Sequence, residues 1–340
     1  IMKTAELITE LTEKYGVSGH ESAVSDFAVE IISKYCDETN IDNMGNVIGK
    51  ITGTSSENEE KQKIMIEAHM DQVGFLVSEI TEDGEIKFVA VGGIDVRILP
   101  GLRVKINGQK QIPGVIMVPK DGGEKNAAIE ELRIYTGLQK ESLESIVKIG
   151  DHIVFDYEVT NLLCDNICSG SLDNRSGMSA IIMALKKIKE SALKNDVYVV
   201  FSTQEEVGLR GAFTSTYGIE PDLAIVVDVT HGTTVDSKDD CGVFELGSGA
   251  IILRGPNVDY DKALKLIDLA EENEINHKIE VAGGASGTTA WAIQTVGKGV
   301  QVLLISIPLR YMHTNVEVLK TSDVENVSNL VAAAVKHFSI

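Results

Sequence analysis

The chain has 340 residues, 43% of them hydrophobic, with 51 Asp and Glu against 31 Lys and Arg for a formal charge of -20. That length exceeds one small core and predicts two domains, and the acidity disfavours nucleic acid or an anionic membrane surface as a partner. The opening "MKTAELITELTEKYG" is charged throughout and lacks the apolar centre of a signal peptide. No apolar run approaches the roughly 20 residues of a membrane span, so the protein is expected in the cytoplasm. Cys36, Cys164, Cys168 and Cys241 form neither a C-x-x-C pair nor a disulfide framework and read as reduced thiols.

Residues 22 to 35 carry Val24, Phe27, Ala28, Ile31 and Ile32 at helical spacing. A short strand, "NVIGKI", a polar loop, "GTSSENEEKQK", and a strongly apolar strand, "KIMIEA", follow. The next ninety residues change character. "GFLVSEI" and "EIKFVAV" flank Asp83-Gly84, "LRVKI" and "IPGVIMV" flank Asn107-Gly108, and both pairs predict hairpins. "ELRIYTG" and "DHIVFDYEV" add strands, which makes 73–163 an inserted β-rich, barrel-like domain.

From Asp173 onward strand and helix alternate. "RSGMSAIIMALKKIKE" predicts an amphipathic helix, "DVYVVFST" and "DLAIVVDV" buried strands, "DYDKALKLIDLAEEN" a helix, and "GVQVLLISI" a strand. A capping box of Ser322 and Glu325 opens the last helix. The expectation is an α/β fold: a mostly buried mixed sheet flanked by helices, built from 1–72 and 164–340 and interrupted by the smaller β-rich domain.

Each buried strand ends on a residue that can bind metal. "KIMIEA" runs into His69 and then Asp71, "VYVVFST" into Glu205 and Glu206, "AIVVDV" holds Asp228, and "QVLLISIP" leads to His313. Asp173 sits in the turn before the central helix. One such residue is more often a cap or a solvated loop side chain. Five together predict a shared crevice beyond the carboxyl ends of the strands. Two His and three carboxylates suit Zn²⁺ or a similar ion, are too many for one catalytic zinc, and fit two metals if one carboxylate bridges. Glu206 is then a ligand, and Glu205 the general base that takes a proton from the attacking water and passes it to the leaving amine. Asp71, two residues from His69 on an extended segment, can hold the second imidazole nitrogen.

"AHMDQVGF", "SLDNRSG", "QEEVGLRGA", "VDVTH" and "SIPLRYMHT" resemble, in order and spacing, the M42 family of metallo-aminopeptidases, and the likeness extends to "YGVSGHE" near the start. The resemblance implies two divalent ions per subunit, zinc or cobalt. His69, Asp173 and Asp228 would hold one, and Asp173, Glu206 and His313 the other, with Asp173 bridging. It also implies removal of single residues from the N-termini of short peptides, and a hollow tetrahedral dodecamer. Two departures stand out: Thr289 in "SGTTA" replaces an acidic residue, and Asn174 follows the bridging Asp173.

Other features carry less. His20, His152, His231, His277 and His337 read as surface or packing residues, with His231 the one near a candidate ligand. Arg310 and Tyr311 either orient a peptide carbonyl or pack. "VAGGAS" reads as a loop near the site, since it lacks the spacing and lysine of a phosphate cradle. A glycoside hydrolase is the alternative enzyme, but it would need only two carboxyl groups and usually aromatic platforms, and the chain has one Trp, Trp291. A non-catalytic relative that keeps the site is the third reading, against which Glu205 stands.

Overall fold

A computed structural model of the chain describes residues 3–55, 61–118, 128–189, 191–235, 237 and 242–339. Eight strands form the main sheet in the order Glu38–Ile41, Val47–Ile51, Asp196–Ser202, Lys63–His69, Leu223–His231, Gln301–Leu309, Ala250–Arg254 and His277–Val281. The middle four run parallel, and antiparallel partners join on either side. Those four are the near-continuous apolar runs of the sequence. A strand covered on both faces needs that composition, whereas a half-exposed one alternates. Their side chains are almost all buried, each large aliphatic residue contributing roughly 1.5–3 kcal/mol.

Helices pack on the sheet in two groups. Leu172–Lys189 contacts the central strands together with Thr4–Thr12 and Thr321–Phe338, while Arg210–Ile219 and Thr289–Ile293 pack against each other. Within Leu172–Lys189, Asp173 and Asn174 have non-helical dihedrals, so the regular helix begins at Arg175. That is where the apolar periodicity of the sequence begins.

The chain leaves the sheet after His69 and returns at Asp196. Between them, Gly74–Ile80, Ile86–Val91, Ile134–Tyr135, Gln111–Ile116, Arg103–Asn107 and His152–Phe155 close into a barrel in that order. Both predicted hairpins form as antiparallel pairs. The barrel has its own core, where Phe75 meets Phe88 and Phe155 edge-on, with ring centroids 5.1 and 5.3 Å apart.

Some expectations need correction. The Ser322–Glu325 capping box does not form, because the strand Glu317–Lys320 runs directly into the helix, which starts at Thr321 with Lys320 at the cap. Glu325 instead accepts a hydrogen bond of 2.6 Å from Thr4 Oγ1, tying the first helix to the last. The strands Ala250–Arg254 and His277–Val281 extend the sheet without having been anticipated; the second is an edge strand with mostly exposed side chains. Cys36, Cys164 and Cys168 are free thiols, and Cys241 and part of the polar loop, 56–60, lie outside the described residues.

Candidate metal centre

Parallel strands place their carboxyl ends along one edge of the sheet, and that edge collects the ligand-type residues. His69 ends its strand opposite Ser202, Glu205 and Glu206 follow Ser202, Asp228 lies beside Ser306 near the ends of two further strands, and His313 follows Leu309. Asp173 enters from the turn before the central helix, where the Asp173–Asn174 peptide is cis. His69, Asp173, Glu205, Glu206, Asp228 and His313 all line one cavity of about 410 Å³. Asp71 lies behind it, fully buried.

Asp173 touches both imidazoles. Its Oδ1 is 3.0 Å from His69 Nε2 and its Oδ2 is 3.3 Å from His313 Nε2. Asp228 Oδ1 lies 3.8 Å from His69 Nε2, and Glu206 Oε2 3.2 Å from His313 Nε2. Ligand-type atoms of His69, Asp173 and Asp228 lie within 4.8 Å of one another, as do those of Asp173, Glu206 and His313, and those of His69, Glu205 and Glu206. On its far side, His69 Nδ1 is 3.4 Å from Asp71 Oδ1, an ion-pair distance without the alignment of a hydrogen bond. Asp71 accepts in addition from Ser18 Oγ and from the backbone N–H groups of Glu205 and Glu206, at 2.6, 2.9 and 3.2 Å. One buried carboxylate thus orients the histidine and fixes the glutamate doublet by its main chain.

Burial and crowding shift the cluster's groups away from their ordinary values. Burial pushes Glu205 up to about 9, against the pull of His69 and with the repulsion of Asp228 and Glu206 added. Burial likewise raises Asp228 to about 8. His313 is raised to about 11 because Asp173 and Glu206 outweigh the burial that opposes its charge. Glu206 Oε1 is buried with no hydrogen-bond partner among the described residues. Two imidazoles, crowded carboxylates and an orphaned acceptor together make a donor set that fits divalent cations, which bind by displacing protons from such groups.

Several supporting residues carry no signal in the sequence. Glu317, buried, accepts from the backbone N–H groups of Asp173 and His313 at 3.1 and 2.8 Å, holding His313 in its left-handed conformation at φ +62°. Arg175, fully buried, donates from Nε to the carbonyl of Met70, between His69 and Asp71, and from Nη1 to Leu11 and Lys14. The two departures also find partners. Thr289 donates to Glu67, a buried carboxyl on the His69 strand that Ser202 also serves, so an acidic group stands at this point from a different element. Asn174 Nδ2 donates to the carbonyl of Val227 at 2.9 Å, a bond that needs an amide hydrogen.

Of the remaining candidates, His231 lines the cavity, as do Ala282, Ser286 and Gly287 of the glycine-rich loop, while Arg310 and Tyr311 do not. His20 and His152 stack at 4.4 Å, and His277 bonds the carbonyl of Ile275.

The family model described as M42 glutamyl aminopeptidase matches residues 45–330. The lysyl aminopeptidase of Pyrococcus furiosus is 31% identical over 96% of this chain and 95% of its own. An aminopeptidase structure from the archaeon Desulfurococcus kamchatkensis superposes with a TM-score of 0.92 at 35% identity, covering 98% of this chain and 94% of that one. A Pyrococcus horikoshii TET1 peptidase, described as assembling into a tetrahedron or a large octahedral shell, gives 0.85 at 30% identity, over 97% and 98% of the two chains. The chain therefore belongs to the M42 peptidase family and is a metal-dependent aminopeptidase.

Proposed function

We propose that the protein removes single N-terminal residues from short peptides at a centre of two divalent ions, zinc or cobalt. The contact of Asp173 with both His69 and His313 supports this reading most directly. His69, Asp173 and Asp228 would hold one ion, and Asp173, Glu206 and His313 the other. Such ions, when bound, polarise the scissile carbonyl and make the attacking water acidic near neutral pH. The protein's own groups do the rest. Glu205 takes the proton from that water and returns it to the departing amine. Burial raises its carboxyl in the cation-free cluster, and bound cations would draw it back to the charged form that accepts a proton. Asp71 keeps His69 in one orientation and the Glu205–Glu206 backbone in place.

Treatment with a chelator should abolish turnover of aminoacyl p-nitroanilides, and added Zn²⁺ or Co²⁺ should restore it. Hydrolysis that persists in protein shown by metal analysis to be stripped would end this reading. His313 and Asp228, raised to about 11 and about 8, hold protons at pH 7 that a cation must displace. The sign is therefore fixed: metal affinity rises as pH increases from 6 to 8, with proton release on binding, measurable by titration calorimetry in buffers of different ionisation enthalpy.

The likeness to the P. horikoshii peptidase also supports a homo-oligomer, which we propose is a tetrahedral dodecamer. Light scattering on the purified protein should give a mass near twelve chains; a dimer or monomer across a hundredfold range of concentration would rule the dodecamer out. The matching family is described as glutamyl and the P. furiosus relative as lysyl, so membership by itself leaves open which N-terminal side chain is taken.

A further inference from the structure

The walls of the cavity away from the metal-type cluster address that choice. Among the described residues that line it, only Glu280 and His231 are titratable beyond the cluster itself, and none is lysine or arginine. Glu280 stands on the edge strand His277–Val281, half-buried, in register with Leu253 of the neighbouring strand. Thr230 Oγ1 donates to Glu280 Oε1 at 3.3 Å. Thr230 is two residues beyond Asp228 on one strand, so both face the same side, roughly 7 Å apart. That separation is about the reach of a long, unbranched side chain whose backbone sits at the metal-type cluster.

We infer that Glu280 is a specificity-determining residue and that the cavity takes a peptide whose N-terminal side chain is cationic, lysine or arginine. The inference rests on the aminopeptidase reading above. Leu253, Ala282, Leu304 and Met312 line the same cavity and offer apolar surface to the methylene stem, while the Glu280 carboxylate receives the charge. Glu280 forms no ion pair among the described residues. Burial pushes its carboxyl up, with Thr230 and His231 pulling the other way, and an incoming ammonium or guanidinium supplies the charge partner that it lacks. An acidic side chain would meet Glu280 at close range inside a protein that already carries a formal charge of -20.

The test uses the full chain reconstituted with Zn²⁺ or Co²⁺ and lysyl, arginyl, leucyl and glutamyl p-nitroanilides. Wild type should show the highest kcat/KM on the lysyl and arginyl substrates and the lowest on the glutamyl one. Glu280→Gln should lower the ratio of lysyl to leucyl kcat/KM by roughly tenfold to a hundredfold, the worth of a charge-assisted contact. Glu280→Lys should place the glutamyl substrate above the lysyl one. A wild-type preference for leucyl or glutamyl substrates overturns the inference. So does a Glu280→Gln variant that loses activity on all four alike, which would assign Glu280 to the shared α-ammonium or to folding. A second readout separates this idea from the peptidase reading: thermal shifts of the metal-loaded protein with free L-lysine, L-norleucine and L-glutamate. Selective stabilisation by lysine that vanishes in Glu280→Gln, in a protein that hydrolyses nothing, supports the pocket assignment and refutes the peptidase reading. Active enzyme that lysine does not stabilise more than norleucine refutes the pocket alone.

Discussion

Glu205→Gln is expected to lower kcat by roughly 10²- to 10⁴-fold, the usual contribution of a positioned general base, while the metal content per chain stays as in wild type. The substitution keeps size and shape but removes the ability to take a proton. Its surroundings should survive, because Asp71 holds position 205 through the backbone N–H and leaves the side chain free. The metal-free variant should also melt no lower than wild type. In the metal-free cluster burial first, and then the carboxyls of Asp228 and Glu206, disfavour a charge at Glu205, and a neutral amide meets neither cost. Steady-state kinetics, elemental analysis and a thermal melt read the three quantities on one preparation. A rate within tenfold of wild type would remove Glu205 from the proton path.

Asp173→Asn is expected to have the larger effect on binding. The carboxylate lies 3.0 Å from His69 Nε2 and 3.3 Å from His313 Nε2, so each of its oxygens serves a different imidazole. An amide of the same shape offers one acceptor and no charge, and could not serve both of the proposed ions. Metal content should fall from two ions per chain to fewer than one, and activity by roughly a thousandfold or more, the scale seen when one member of a cooperating catalytic unit is removed. The fold should remain, since Glu317 holds residue 173 through its main-chain N–H, which the substitution does not touch. Circular dichroism checks that point. Two ions per chain with near-native turnover would remove Asp173 from the role of shared ligand.

His69, Glu205, Glu206, Asp228 and His313 were legible in the sequence for one reason. Each lies inside a long apolar run or within a few residues after one, and several polar ligand-type residues so placed have few bland explanations. The strands built from those runs were legible on the same ground, since burial on both faces forces the composition. Glu317 and Arg175 were not. Glu317 sits in a strand of only four residues, Glu317–Lys320, and accepts from the backbone N–H of nearby His313 and from that of Asp173, far away in sequence. Arg175 looks like any cation at the start of an amphipathic helix until Met70, Leu11 and Lys14 are seen to offer it their carbonyls. Glu67 was hidden inside an apolar strand, and only its contact with Thr289 shows that the acidic group missing from "SGTTA" has a neighbour to stand in for it. Glu280 lies on an edge strand whose pattern of half-buried and exposed side chains gives no hint of the cavity on one side. Tertiary partners, unlike periodicity, leave no trace in local sequence.

The four middle strands bring their ends together only because they lie side by side, in an order that differs from their order along the chain. His69 is synthesised long before His313. A polypeptide whose strand Gln301–Leu309 has not yet docked beside Leu223–His231 carries His69, Asp173, Glu205, Glu206 and Asp228 but not His313 in place. The cavity thus closes its ring of ligand-type groups only in the last steps of assembly.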